Sequence, residues 1–263
     1  MKIPRFYAPI DLKLGENLGL PDHVYRHAVQ VLRLTVGEAL ILFNGQGGEY
    51  LARLTHIEKR RAYVAIEQFN DSNPESPLAL SLVQSLIKPD KMDWCIQKSV
   101  ELGVHSIRPI ITERSVVKLK GDKLAKKYQH WQGIIIAACE QSGRTRLPEL
   151  LPLLSLADYL LDSQNAVVNQ DSQDILRIMM SPRTSNHLQA LSATQTHPKQ
   201  IALLVGPEGG FTDQEVSLCL QQQVEVIAFG ERILRAETAA LSGLSLIQHY
   251  WGDLSRNAPH TNS

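Results

Sequence analysis

Apolar and polar positions follow two rhythms along this 263-residue chain, and the change falls just after residue 70. Before it, short apolar-rich runs are broken by turn formers, a strand pattern. Ala39 to Phe43 and Glu49 to Glu58 flank Asn44-Gly45-Gln46-Gly47-Gly48, and Ala62 to Phe69 follows Lys59-Arg60-Arg61. One short helix precedes them, with Asp22 as its cap, Val24, Ala28, Val31 and Leu32 on one face, and an end near Gly37. These elements predict a small, mostly antiparallel β-barrel.

The stretch Asn70-Asp71-Ser72-Asn73-Pro74-Glu75-Ser76-Pro77 crowds turn formers together without apolar periodicity, so it reads as a boundary between domains at 1–72 and 73–263. After it, a strand (Leu80 to Ile87), a helix (Asp90 to Leu102) and a strand (Ile107 to Thr112) form a βαβ unit. A longer helix from Lys123 to Gln141 places Leu124, Tyr128, Trp131, Ile135 and Ala138 at helical spacing, and ends against Gly143 and Pro148. Ser155 with Asp158 predicts a helix start. Ala166 to Asn169, Ile201 to Val205 and Val224 to Phe229 read as three further buried strands. Alternating strands and helices predict an α/β domain with a mostly parallel sheet covered on both faces.

Composition narrows this picture little: 43% apolar and 21% charged residues are ordinary for a globular protein and exclude wholesale disorder. Lys plus Arg equals Asp plus Glu, 27 against 27, so nucleic-acid binding would need a local basic patch. Cys95, Cys139 and Cys219 are too few and too far apart for a disulfide framework or a zinc site, and read as small packing residues in a reducing compartment. Neither a signal-peptide core nor a run of about 18 apolar residues occurs, so the expectation is a cytoplasmic protein without a membrane partner or a bound metal.

Candidate chemistry concentrates in three places. In Leu204-Val205-Gly206-Pro207-Glu208-Gly209-Gly210-Phe211, a buried strand runs into three glycines, and Thr212 with Glu215 then starts a helix. Backbone there can approach a ligand closely at the carboxyl edge of a sheet. The loop lacks both the Lys-Ser/Thr of a P-loop and dinucleotide glycine spacing, which disfavours an ATPase or a nicotinamide enzyme. One strand later, Phe229-Gly230-Glu231-Arg232-Ile233-Leu234-Arg235 leads into a helix rich in small residues, and the two loops could wall one pocket. The third place is Glu140-Gln141-Ser142-Gly143-Arg144 at a helix end, preceded by the cationic run Lys118, Lys120, Lys123, Lys126 and Lys127.

These motifs, in this order, resemble those of the RsmE family, the bacterial 16S rRNA uridine-N3 methyltransferases. The resemblance extends to Lys98 through Val104, to Arg114-Ser115, and to Pro4-Arg5-Phe6-Tyr7 with His27 and Val31-Leu32-Arg33. It implies a SPOUT-type domain with a deep trefoil knot, S-adenosylmethionine (SAM) as cofactor, a homodimer, and a PUA-like barrel that helps to hold 16S rRNA in the small ribosomal subunit. On that basis Leu204, Val205, Gly206, Pro207, Glu208, Gly210, Phe229, Gly230, Ile233, Leu234 and Thr238 would bind cofactor. Arg5, Arg33, Lys88 and Arg144 would contact RNA, and Arg235 would stabilise charge on the uracil. The small residues Ala236, Ala239, Ala240, Ser242 and Gly243 would let a second helix approach in a dimer. Two other readings compete: a SPOUT methyltransferase acting on tRNA or a ribose 2′-hydroxyl, and a non-catalytic RNA-binding protein.

Overall fold

The computed structural model describes residues 3–117, 119–168, 175–182, 184–196 and 198–255. They form two compact units, Met1–Glu75 with Ile136–Leu147, and Ser76–Ile135 with Pro148–Ser263. Residues 136–147, which the sequence groups with the later domain, therefore belong with the first unit.

The first unit contains β1 (Arg5–Tyr7), β2 (Asn17–Gly19), α1 (Asp22–Tyr25), β3 (Ala39–Phe43), β4 (Glu49–Ile57) and β5 (Ala62–Asn70). The strands form one sheet in the order β1-β3-β4-β5-β2, parallel between β1 and β3 and antiparallel elsewhere. Phe6, Leu40, Leu42, Leu54 and Val64 meet in its core. Asp22 is the first helical residue rather than the cap, which is Pro21. From Arg26 to Val31 the backbone continues as a π-helix, whose i→i+5 turns each take in an extra residue. That drift explains why Val24 and Ala28 face inward while Val31 and Leu32 are 67% and 46% exposed, contrary to the single apolar face expected. Arg33 follows at φ 58°.

The second unit is α/β. Its elements are β6 (Ala79–Ser85), α2 (Pro89–Glu101), β7 (Ser106–Ile111), α3 (Gly121–Ser142, whose last turns lie in the first unit), β8 (Glu149–Leu150) and β9 (Leu154–Ser155). Then come α4 (Leu156–Val168), β10 (Ile175–Met180), α5 (Leu188–Thr194), β11 (Gln200–Val205), α6 (Asp213–Gln221), β12 (Glu225–Ile227) and α7 (Ala236–Trp251). The seven-stranded sheet runs β12-β10-β11-β6-β7-β8, with β9 also on β7, and every pairing among the described residues is parallel.

On one face Val83, Leu204, Tyr159, Leu160 and Phe211 share a core. Helix α7 also packs on the sheet. A Cβ at Gly243 would lie 2.7 Å from the Leu203 side chain and 3.0 Å from Met180 Sδ, so this small residue serves packing within one chain. The strand expected at Ala166 to Asn169 is instead the end of α4, which runs through Val168; Asn169 lies outside the described residues. A short apolar run cannot by itself distinguish a strand from a helix tail.

Candidate active site

Strands β10, β11 and β12 lie together in the sheet, and the loops after them line a cleft of about 370 Å³. This is the carboxyl edge, where open parallel sheets bind ligands. The β11 loop makes the tightest wall. A Cβ on Gly206 would sit 3.1 Å from the Phe211 ring, and Gly210, at φ +67°, donates its N–H to the Pro207 carbonyl at 2.8 Å. Thr212 then caps α6: its side chain accepts from Glu215 N at 3.2 Å, and Glu215 Oε2 accepts from Thr212 N at 2.8 Å.

Three side-chain ties fix this loop to its neighbours. Glu215 Oε1 accepts from Glu113 N at 2.8 Å. Arg114 Nη1 donates to the Gly209 carbonyl at 2.8 Å and to that of Phe211 at 3.5 Å. Glu208 Oε1 accepts from Lys88 N at 3.1 Å, at the start of α2. The loops after β6, β7 and β11 are thereby joined, and Glu208 bonds a neighbouring loop's backbone rather than its own.

The opposite wall is differently made. Gly230 has φ +72°, and the backbone of Gly230–Leu234 makes no hydrogen bond among the described residues. Arg232, Ile233 and Leu234 line the cleft, and Ile233 is 87% exposed. Met180 at the end of β10, with Ser181 and Pro182 after it, completes the lining. Sequence reasoning missed this third side because the strand that delivers it was not recognised.

Of the residues expected at the cofactor, Val205, Gly206, Pro207, Glu208, Gly210, Phe229, Gly230, Ile233 and Leu234 all line this cleft. Leu204 does not; it is wholly buried beside Phe211 and Ile110. Thr238 is exposed on α7. Ala236 and Ala239 line the cleft, and Thr238, two residues after Ala236, points to the other side of the helix. Arg235 is exposed too and lies outside the lining. It is the extended cap residue of α7, at φ −66°, ψ 154°. Of the two arginines in this loop, Arg232 is the one that lines the cleft.

A cleft of this volume, with apolar side chains, glycine-narrowed backbone and amides left over, fits a ligand that is partly flat and partly polar, as the nucleoside and amino acid of SAM are. Gly206 lets the loop close on itself, since even a methyl group there meets the Phe211 ring. The thiols of Cys95, Cys139 and Cys219 are buried, and burial pushes each up to about 12. They stay neutral near pH 7 and make poor nucleophiles. Among the described residues, no three His, Cys, Asp or Glu side chains group to hold a metal ion.

Two expected RNA contacts turn out to be interior. The Arg5 side chain is only 7% exposed and pairs with Glu49 at 3.0 Å. It also donates to the carbonyls of Cys139, Glu140 and Arg144 at 3.0, 3.3 and 3.3 Å, and lies over the Phe43 ring. Arg144, 8% exposed, pairs with Glu75 at 2.6 Å through Nη2 and at 2.9 Å through Nε. The second Glu75 oxygen accepts from Thr145 N and Arg146 N, both at 3.1 Å. The assignment of Arg5 and Arg144 to RNA is thus corrected. Their donors hold the end of α3 inside the first unit, and a phosphate would have to displace buried partners. Arg33 and Lys88 are exposed.

A parallel sheet with a nucleoside-sized cleft at its carboxyl edge, in a chain with a separate β-sheet unit, defines a two-unit α/β protein of the ligand-binding type. Residues 74–248 match a family model described as an RNA methyltransferase domain, and residues 20–67 match an RNA methyltransferase PUA domain. The chain is 31% identical to ribosomal RNA small subunit methyltransferase E of Buchnera aphidicola from Schizaphis graminum, over 97% of this chain and 99% of the relative. With the Bacillus subtilis protein of that name it shares 33% identity, covering 85% and 86% of the two chains.

Two similar solved structures are described as holding the cofactor. The Neisseria gonorrhoeae methyltransferase E bound to SAM is 38% identical, with a TM-score of 0.85 over 96% of this chain and 100% of its own. A Legionella pneumophila protein in complex with SAM is 37% identical, with a TM-score of 0.88 over 97% and 100%. The chain belongs to the RNA methyltransferase family that includes ribosomal RNA small subunit methyltransferase E.

Proposed function

We propose that this protein is a SAM-dependent methyltransferase that modifies N3 of a specific uridine in 16S ribosomal RNA, within the small subunit. Family membership supports the cofactor and the RNA class. The glycine-walled cleft carries the reading, because its volume and lining suit SAM and the loop of its glycine wall is tied to its neighbours.

When bound, the cofactor supplies an electrophilic methyl group on sulfonium. The residues of this chain do the rest. Val205, Phe229, Ile233 and Leu234 offer apolar surface, and the backbone of Gly230–Leu234 offers donors and acceptors. Uracil N3 must lose its proton, which goes to water, and charge then spreads to O2 and O4, where an always-charged arginine fork stabilises it. Arg235 is the arginine proposed for this, reaching a base at the mouth of the cleft from the exposed start of α7. Thr238, on the same exposed turn, would act beside it rather than on the adenosine.

Several finer features belong to the same proposal. The second unit is read as SPOUT-type with a deep trefoil knot, in support of which the loops after β10, β11 and β12 converge on one cleft. The first unit is read as a PUA-like barrel, supported by its five-stranded sheet and the PUA match. A homodimer, a cytoplasmic location, and RNA contacts from Arg33 and Lys88 complete it. No helix among the described residues is long and apolar enough to cross a membrane. The test is incubation of purified protein with SAM and small subunits that lack the modification, followed by nucleoside mass analysis. N3-methyluridine in 16S rRNA is the expected product; a 2′-O-methyl product, or methylation of tRNA alone, would overturn the assignment.

A further inference from the structure

We propose that the β4–β5 hairpin turn of the first unit is an RNA-phosphate clamp in which Lys59, Arg60 and Arg61 are the contacting cations. The proposal rests on the RNA methyltransferase reading and deepens it by naming the surface that takes the backbone of the substrate. Its starting point is the interior use of Arg5 and Arg144. In a chain of zero net charge, RNA affinity then needs positive charge gathered elsewhere.

The hairpin treats its stem and its tip differently. On the stem, Arg53 of β4 reaches diagonally to Glu67 of β5, and the two form a two-pronged pair at 2.6 and 3.0 Å. At the tip, Lys59, Arg60 and Arg61 are consecutive and exposed, and no carboxylate lies within ion-pair distance of any of them among the described residues. The adjacent Glu58 is directed to His56 instead, at 3.7 Å. Three adjacent like charges repel one another. A turn has no structural need of them, since Asn, Asp, Gly and Ser are the usual turn formers.

The tip is also held in place before any ligand arrives. Glu58 N donates to the Arg61 carbonyl at 2.8 Å, closing the turn. On one side the buried Tyr25 donates its hydroxyl to the Lys59 carbonyl at 3.1 Å; on the other, Leu20 N donates to the Ala62 carbonyl at 2.8 Å. Both shoulders of the turn are thus tied to the segment around α1, which reduces the ordering cost of binding. Arginine forks match phosphate oxygens in pairs and lysine adds a point charge, so a repeating phosphate backbone suits this tip better than scattered carboxylates do.

The test is RNA binding across a salt series with the full-length triple variant Lys59→Ala, Arg60→Ala, Arg61→Ala. At about 0.1 M salt, affinity should fall roughly five- to tenfold for each phosphate partner removed, and the slope of log K against log salt should become shallower by about two to three. The effect should be the same for 16S and unrelated RNA, with SAM affinity and unfolding midpoint unchanged. Arg60→Lys with Arg61→Lys should restore most of the slope, and the paired control Arg53→Ala should leave it near that of the wild type. A triple variant that binds RNA with wild-type affinity and slope overturns the clamp while leaving the enzyme reading intact. Wild-type protein that binds SAM but no RNA overturns both.

Discussion

The end of α3 in the first unit and the cleft of the second are both built from arginines set against backbone carbonyls, yet only one of them has capacity to spare. In the first unit the Arg5 guanidinium meets Glu49 and three carbonyls, and the Glu75 carboxylate takes four donors. At the cleft, Arg114 reaches two carbonyls through one nitrogen. Arg232 has no ion-pair or hydrogen-bond partner among the described residues. Residue type is the same in both regions; the number of donors left over differs. Where every donor is used, an arginine is part of the core, and where some remain it can hold a ligand.

The largest effect should come from emptying the filled region. Arg144→Ala leaves the Glu75 charge with backbone donors but no cation, 13% exposed. Removing one partner of a buried pair costs about 3–5 kcal/mol, to be read from urea unfolding. Undiminished stability with weakened RNA binding would erase the contrast between the two regions and return Arg144 to the RNA surface.

Next in size is a change that closes the cleft. Gly206→Val places branched carbons where a single Cβ already sits 3.1 Å from the Phe211 ring, costing about 1–3 kcal/mol of overpacking. Calorimetry should show SAM affinity reduced at least roughly a hundredfold, the scale of removing several fixed interactions, in protein that still unfolds cooperatively. If SAM binds normally, the cleft is not its site. Arg235→Lys should then lower the single-turnover rate about a hundredfold, as removal of an oxyanion donor does, while SAM and RNA affinities hold. A defect confined to RNA affinity would make Arg235 a phosphate contact instead.

The cleft was more legible in the sequence than the interior of the first unit, for a physical reason. Glycines and a capping box act locally, so Gly206, Gly210 and the Thr212–Glu215 pair announce a strand-to-helix loop within a dozen residues. Glu75 meets Arg144 across 69 residues and Arg5 meets Cys139 across 134, and no local pattern reports that closure. Strand β10 escaped notice, taking Met180, Ser181 and Pro182 with it. The outward turn of Val31 and Leu32 depends on a π-helix, whereas the expected face assumed ordinary helical spacing. Arg235 was placed by its neighbours in sequence, Leu234 and Ala236, which line the cleft where it does not.

The smallest effect separates two carboxylates of the first unit. Glu140 accepts one hydrogen bond, from Tyr7 N at 3.0 Å, where Glu75 accepts four. Burial holds its pKa above the ordinary 4.5, and the Tyr7 hydrogen bond and the charges of His27, His23 and Arg5 only partly oppose this. A carboxyl raised on folding keeps its proton longer in the native state than in the unfolded chain. Its contribution to stability is therefore fully present below the unfolded value and is lost as pH rises through the folded one. Glu140→Gln keeps the acceptor for Tyr7 N and removes the titration. Stability curves from about pH 4 to pH 7 should then decline less steeply in the variant than in the wild type, with the variant at least as stable at neutrality. A variant that loses stability only at neutral pH would mean that the Glu140 charge is held by Arg5 and the two histidines, making Glu140 a second ionic anchor of the Glu75 kind.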